Sequence, residues 1–69
     1  MQIPVAGAIR LGQFLKLVDA VELGSDVKLL LASGAVTVNG VPESRRGRQL
    51  EPGDRVAVAD RTYVLARPD

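Results

Sequence analysis

The chain has 69 residues, 46% of them hydrophobic, and its nine Lys and Arg residues nearly balance eight Asp and Glu residues for a net charge of +1. That length holds one domain, residues 1–69, with one thin core, since so short a chain buries only roughly 60% of the surface its unfolded form exposes. Cysteine and histidine are absent, which excludes a disulfide framework and a thiolate or imidazole metal site, and removes the commonest general base.

No apolar run is long enough to span a bilayer, and Met1 to Leu11 lacks the basic segment and apolar stretch of a secretory leader. The expectation is a soluble, cytoplasmic monomer without a membrane partner. Net charge alone does not point to nucleic acid, but its arrangement is uneven. Arg45, Arg46 and Arg48 fall within four positions, whereas the acids are scattered.

In chain order, Gln2 to Val5 offers a short extra strand. Residues 9–20 carry Leu11, Phe14, Leu15 and Val18 at the spacing of one helix face, with Arg10, Gln13 and Lys16 off that stripe. Ser25 then supplies an N-cap oxygen and Asp26 a negative charge for the first turn of a second helix. That helix places Val27, Leu30 and Leu31 inward and Lys28 outward, and Gly34 stands where a left-handed cap ends it. Leu29 points away from the stripe, so another element is expected to cover it.

From Val36 the period changes to two: Val36 and Val38 share a face, Asn39-Gly40 suits a type I′ turn, and Val41 resumes the chain. Residues 42–50 are too rich in Arg and Ser for a core strand and read as a loop. Pro52-Gly53 suits the centre of a type II turn. Val56 and Val58, a turn at Asp60-Arg61, then Tyr63 and Leu65 make a final hairpin. The expected layout is α+β: two short N-terminal helices, then a small antiparallel sheet with one face covered by the helix pair.

The chemistry of catalysis is missing. No Ser or Thr has an evident activating partner, and the carboxylates, Glu43 among them, sit at positions suited to capping or solvation. The glycines form no phosphate-loop or dinucleotide fingerprint, so no cofactor is implied. With Phe14 and Tyr63 as the only aromatics, there is no stacking platform of the kind single-strand binders use. The chain is expected not to be an enzyme, and any RNA ligand is held by backbone and shape.

Ile9-Arg10-Leu11 with Phe14-Leu15, a second helix closing at Gly34, Val36-Thr37-Val38-Asn39-Gly40 and Pro52-Gly53-Asp54-Arg55-Val56 stand in a specific order. Together they resemble the RNA-binding domain named after small-subunit ribosomal protein S-four, the αL motif, from about residue 9 to 58. The likeness is greatest to the stand-alone YbcJ-like members, whose basic loop is similar to Glu43-Ser44-Arg45-Arg46-Gly47-Arg48. The resemblance implies a grip on structured RNA, ribosomal or transfer RNA, and a role at the ribosome. It carries Arg10 over as the arginine opening the first helix, and Arg45, Arg46 and Arg48 as the basic loop. The usual aspartate after Arg-Leu is Gly12 here, and the arginine that often follows the serine of helix two is Asp26. Lys28 is expected to supply that missing charge.

The expected RNA-binding residues are therefore Arg10, Lys16, Lys28, Arg45, Arg46 and Arg48, with the three loop arginines carrying the largest share. Guanidinium groups grasp phosphate oxygens in pairs, and Gly47 lets the loop backbone come close. A β-grasp sulfur carrier shares the Val-Asn-Gly turn and the late Pro-Gly-Asp, but works through a terminal Gly-Gly where this sequence reads Ala66-Arg67-Pro68-Asp69. A protein-interaction module using Leu29 and a sheet edge is the third reading, and it predicts binding indifferent to salt.

Overall fold

A computed structural model describes residues 2–5, 7–18, 20 and 24–67. The elements are β1 (Gln2–Pro4), β2 (Ile9–Arg10), α1 (Leu11–Leu17), α2 (Gly24–Ala32), β3 (Val36–Val38), β4 (Val41–Pro42), β5 (Gln49–Leu50), β6 (Arg55–Val58) and β7 (Arg61–Ala66). Among the described residues they form a five-stranded sheet in the order β1-β7-β6-β3-β4 and a separate β2-β5 pair.

The alternation of valines sets the sheet's buried face. Val36 pairs with Val58, Val38 with Val56, and Val56 with Tyr63, so successive inward side chains of β3, β6 and β7 meet across the strands. Val36, Val38, Val56, Tyr63 and Leu65 are all buried. Leu11, Phe14 and Leu15 of α1 and Val27 and Leu31 of α2 complete the same core, with Val18 and Leu30 packed at its margin. The Phe14 ring meets Tyr63 edge-on, 5.9 Å between centroids and 78° between planes, the arrangement that sets the positive edge of one ring against the other's face. The stripes expected of both helices are thus their buried faces.

The turns follow their residues. Asn39 and Gly40 both have positive φ, 53° and 84°, as a type I′ hairpin requires. Asn39 also reaches beyond its turn: its Oδ1 accepts the amide of Arg55 at 2.9 Å and its Nδ2 donates to Asp54 Oδ1 at 3.1 Å. At the next turn the Asp54 amide donates to the Glu51 carbonyl at 3.0 Å with Gly53 at φ 100°, the pattern of Pro52-Gly53 at the centre of a type II turn. Gly34 ends α2 at φ 78°.

Several expectations are corrected. The order is not helix, helix, sheet, because β1 and β2 precede α1. The sheet is mixed: β1 exists, but pairs in parallel with β7, Gln2 opposite Val64 and Ile3 opposite Leu65. Residues 9 and 10 are a strand, since Ile9 pairs with Leu50 and Arg10 with Gln49. The basic stretch is therefore a strand at both ends, and Leu50 is fully buried. Helix α2 begins at Gly24, which puts Ser25 inside its first turn instead of at its cap. The last hairpin turns at Ala59-Asp60, with Arg61 already paired to Val58. Leu29 stays 70% exposed, covered by no described part of the chain. No described helix is long and apolar enough to cross a membrane.

Candidate nucleic-acid interface

The first amides of a helix have no intrahelical acceptor, and the opening of α1 finds its acceptors in the basic loop. Leu11 donates its amide to the Arg48 carbonyl at 2.8 Å, and Gly12 donates to the Arg46 carbonyl at 2.9 Å. Arg10 Nη1 donates to the Gly47 carbonyl at 3.1 Å. Arginine has no acceptor with which to cap the helix. Gln13 instead turns back, its Oε1 accepting the Arg10 amide at 3.2 Å. Three consecutive carbonyls of the loop, 46 to 48, are thus held by the start of α1.

That contact explains Gly12. A Cβ at this position would stand 3.3 Å from the Arg46 Cβ and 3.4 Å from its carbonyl oxygen, so any side chain there crowds the loop. Gly47 has ordinary space around it, the nearest atom being Arg10 Nη1 at 3.5 Å.

Around the docked loop the expected cations converge. Arg10, Lys16 and Arg46, with Gln13, Gly12, Val27 and Gly47, line a groove of about 420 Å³. Arg46 also lines a second groove of about 450 Å³, shared with Lys28, Leu31 and Ser44. Arg46 is the wall common to both. Four of the six expected residues, from β2, α1, α2 and the loop, therefore line these two grooves, Lys28 being the one from the second helix.

Arg45 and Arg48 are differently placed. Both turn onto Glu43, a buried carboxylate at 8% exposure. Glu43 Oε1 accepts from Arg45 Nη2 and Arg48 Nη1, each at 3.1 Å. Its Oε2 accepts Arg45 Nε at 3.2 Å and the amides of Ser44 and Arg45 at 3.1 and 3.3 Å. Arg45 thus grips the carboxylate with two parallel donors, the strongest geometry available to such a pair. These hydrogen bonds, first from Arg45 and then from Arg48, outweigh burial and hold the Glu43 pKa down at about 2, while Glu43 in turn raises that of Arg45.

Glu43 is the residue that sequence reasoning missed. A carboxylate beside a run of arginines reads as mixed surface charge, and only the path of the chain shows otherwise. The Glu43 amide donates to the Val36 carbonyl at 3.1 Å, tying the residue back to the start of β3.

The model of the S4 domain matches residues 3–66, almost the whole of this chain. The chain belongs to the S4 domain family. Among relatives of this S4 chain is the probable ribosome maturation protein RlbA of Bacillus subtilis (strain 168), 48% identical over 50 residues that cover 72% of this chain and 70% of that protein. The family's fold and its RNA-binding character agree with the basic surface built by the α1 turn, α2 and the loop.

Proposed function

We propose that this S4 protein binds structured RNA without catalysing a reaction on it, working as a cytoplasmic monomer at the ribosome. The observation that carries the reading is the convergence of Arg10, Lys16, Lys28 and Arg46 on two adjoining grooves. Cations spread over a short strand, two helices and a pinned loop meet the phosphates of a folded strand at several separated points, so the surface selects shape. Phosphate contacts position a protein without reading bases, and the two aromatics, Phe14 and Tyr63, lie buried against each other.

Between ribosomal and transfer RNA, the reading favours ribosomal RNA, supported by the ribosome-maturation name of the relative. Crosslinking the protein to RNA in its native cells and sequencing what is attached tests this. Enrichment of one folded ribosomal RNA element, lost in Arg46→Ala, is the expected result. RNA at background level in the unaltered protein contradicts the reading, and enrichment of transfer RNA contradicts its ribosomal part.

A further inference from the structure

The loop carries three arginines, yet two of them face an internal carboxylate. We infer that Glu43 is a selectivity-setting residue: by holding Arg45 and Arg48 it restrains indiscriminate attraction to phosphate, and it fixes the loop so that Arg46 is presented at one place between the grooves. The inference rests on the RNA-binding reading and adds to it a device against wrong ligands.

Three observations carry it. Glu43 is buried although charged, and a buried carboxylate persists only when its oxygens are satisfied. Here five donors converge on the two oxygens, two of them amides of the loop itself. The second observation is the division of labour. Among the described residues the Arg46 guanidinium makes no ion pair, and Arg46 lines both grooves. The third is that the loop is fixed at its carbonyls by the start of α1 and locally at its Ser44 and Arg45 amides by Glu43, whose own amide is bonded to the Val36 carbonyl. A flexible loop with three free guanidiniums adapts to any phosphate chain. A loop held in one shape matches few, with one guanidinium unpaired and Arg45, whose side chain is 74% exposed, engaged by its carboxylate. Discrimination of this kind comes from disfavouring alternatives as much as from favouring the proper ligand.

The test is a salt titration of binding to two probes of equal length, a base-paired ribosomal RNA hairpin and an oligouridine. It compares the unaltered protein with Glu43→Gln, Arg45→Gln, and the two combined. Gln keeps the shape and an oxygen for the loop amides but removes the negative charge that holds both arginines. Glu43→Gln is expected to steepen the log-log salt slope on oligouridine by about 1 to 1.5, the counterions of two released arginines. The preference for the hairpin is expected to narrow about tenfold, the worth of one charge-assisted contact. Adding Arg45→Gln removes about half the gained slope. A merely structural role for Glu43 weakens both probes and leaves the slope no steeper, which overturns the inference. Should Glu43→Gln not fold, Arg45→Gln alone decides: it is expected to change the slope by less than half as much as Arg46→Gln, and an equal change overturns the inference. Absence of binding by the unaltered protein overturns the RNA reading itself, whereas binding with an unchanged slope in Glu43→Gln overturns this inference alone.

Discussion

The Gly12 amide donates to the Arg46 carbonyl at 2.9 Å, so the first turn of the first helix and the arginine between the two grooves are joined through the backbone. The position of Arg46 is therefore a property of α1 as much as of the loop. Gly12→Val is expected to destabilise the fold by about 1–3 kcal/mol, because its added carbons enter a space where even a Cβ stands 3.3 Å from Arg46. Denaturant unfolding measures the loss, and amide resonances of residues 46–48 shift with it. Unchanged stability together with unmoved loop resonances contradicts the account.

The edge-on pair of Phe14 and Tyr63 joins α1 to β7. Phe14→Ala is expected to cost about 3–5 kcal/mol, most of the stability available to a chain of this size. Circular dichroism in the absence of denaturant shows whether the variant is largely unfolded at 25 °C. A cooperative transition within about 1 kcal/mol of the unaltered protein contradicts the assigned core.

Ala59 turns the last hairpin at φ 54°, a region where a Cβ crowds the backbone and glycine is relaxed. Ala59→Gly is expected to raise stability by about 0.5–1 kcal/mol, the relief of strain exceeding the added freedom of the unfolded chain. In thermal unfolding that is a rise of roughly 2–8 °C in Tm for a domain this small. A lower Tm contradicts the turn geometry.

Much of this fold was legible because its signals are local. The inward stripes Leu11, Phe14, Leu15 and Val27, Leu31, and the alternation of Val36, Val38, Val56 and Val58, state their period in a few residues. Asn39-Gly40, Gly34 and Gly53 mark places where φ turns positive. The missed features depend on partners distant in the chain. Strand β1 is set by β7 some sixty positions on, and β2 and β5, two residues each, are too short to show any period. Arg45, Arg46 and Arg48 are chemically alike, so their division between a carboxylate and two grooves follows only from the loop's path. Leu29 stood out correctly from its stripe, but nothing local says whether a side chain that points away will meet another element.

Glu43 predicts a pH dependence. Its carboxyl is held down at about 2 in the folded protein by Arg45 and Arg48, against an ordinary value of 4.5. A group whose folded pKa is depressed adds stability above its unfolded pKa and loses that contribution as pH falls. The contribution of Glu43 is therefore full above about pH 4.5 and disappears progressively as pH falls toward 2. Urea unfolding of the protein and of Glu43→Gln across this window is expected to show a steeper fall for the unaltered protein. Parallel profiles contradict the ion-pair arrangement.

The central claim is that one phosphate-gripping surface is centred on Arg46, and the salt dependence of RNA binding tests it most directly. With three to five phosphate contacts, the log-log slope on a folded ribosomal RNA fragment is expected to be roughly −2 to −4. Replacing Arg10, Lys16, Lys28 and Arg46 together by Gln is expected to bring it close to zero with the fold retained. A slope near zero in the unaltered protein, or one that survives the fourfold replacement, contradicts the claim.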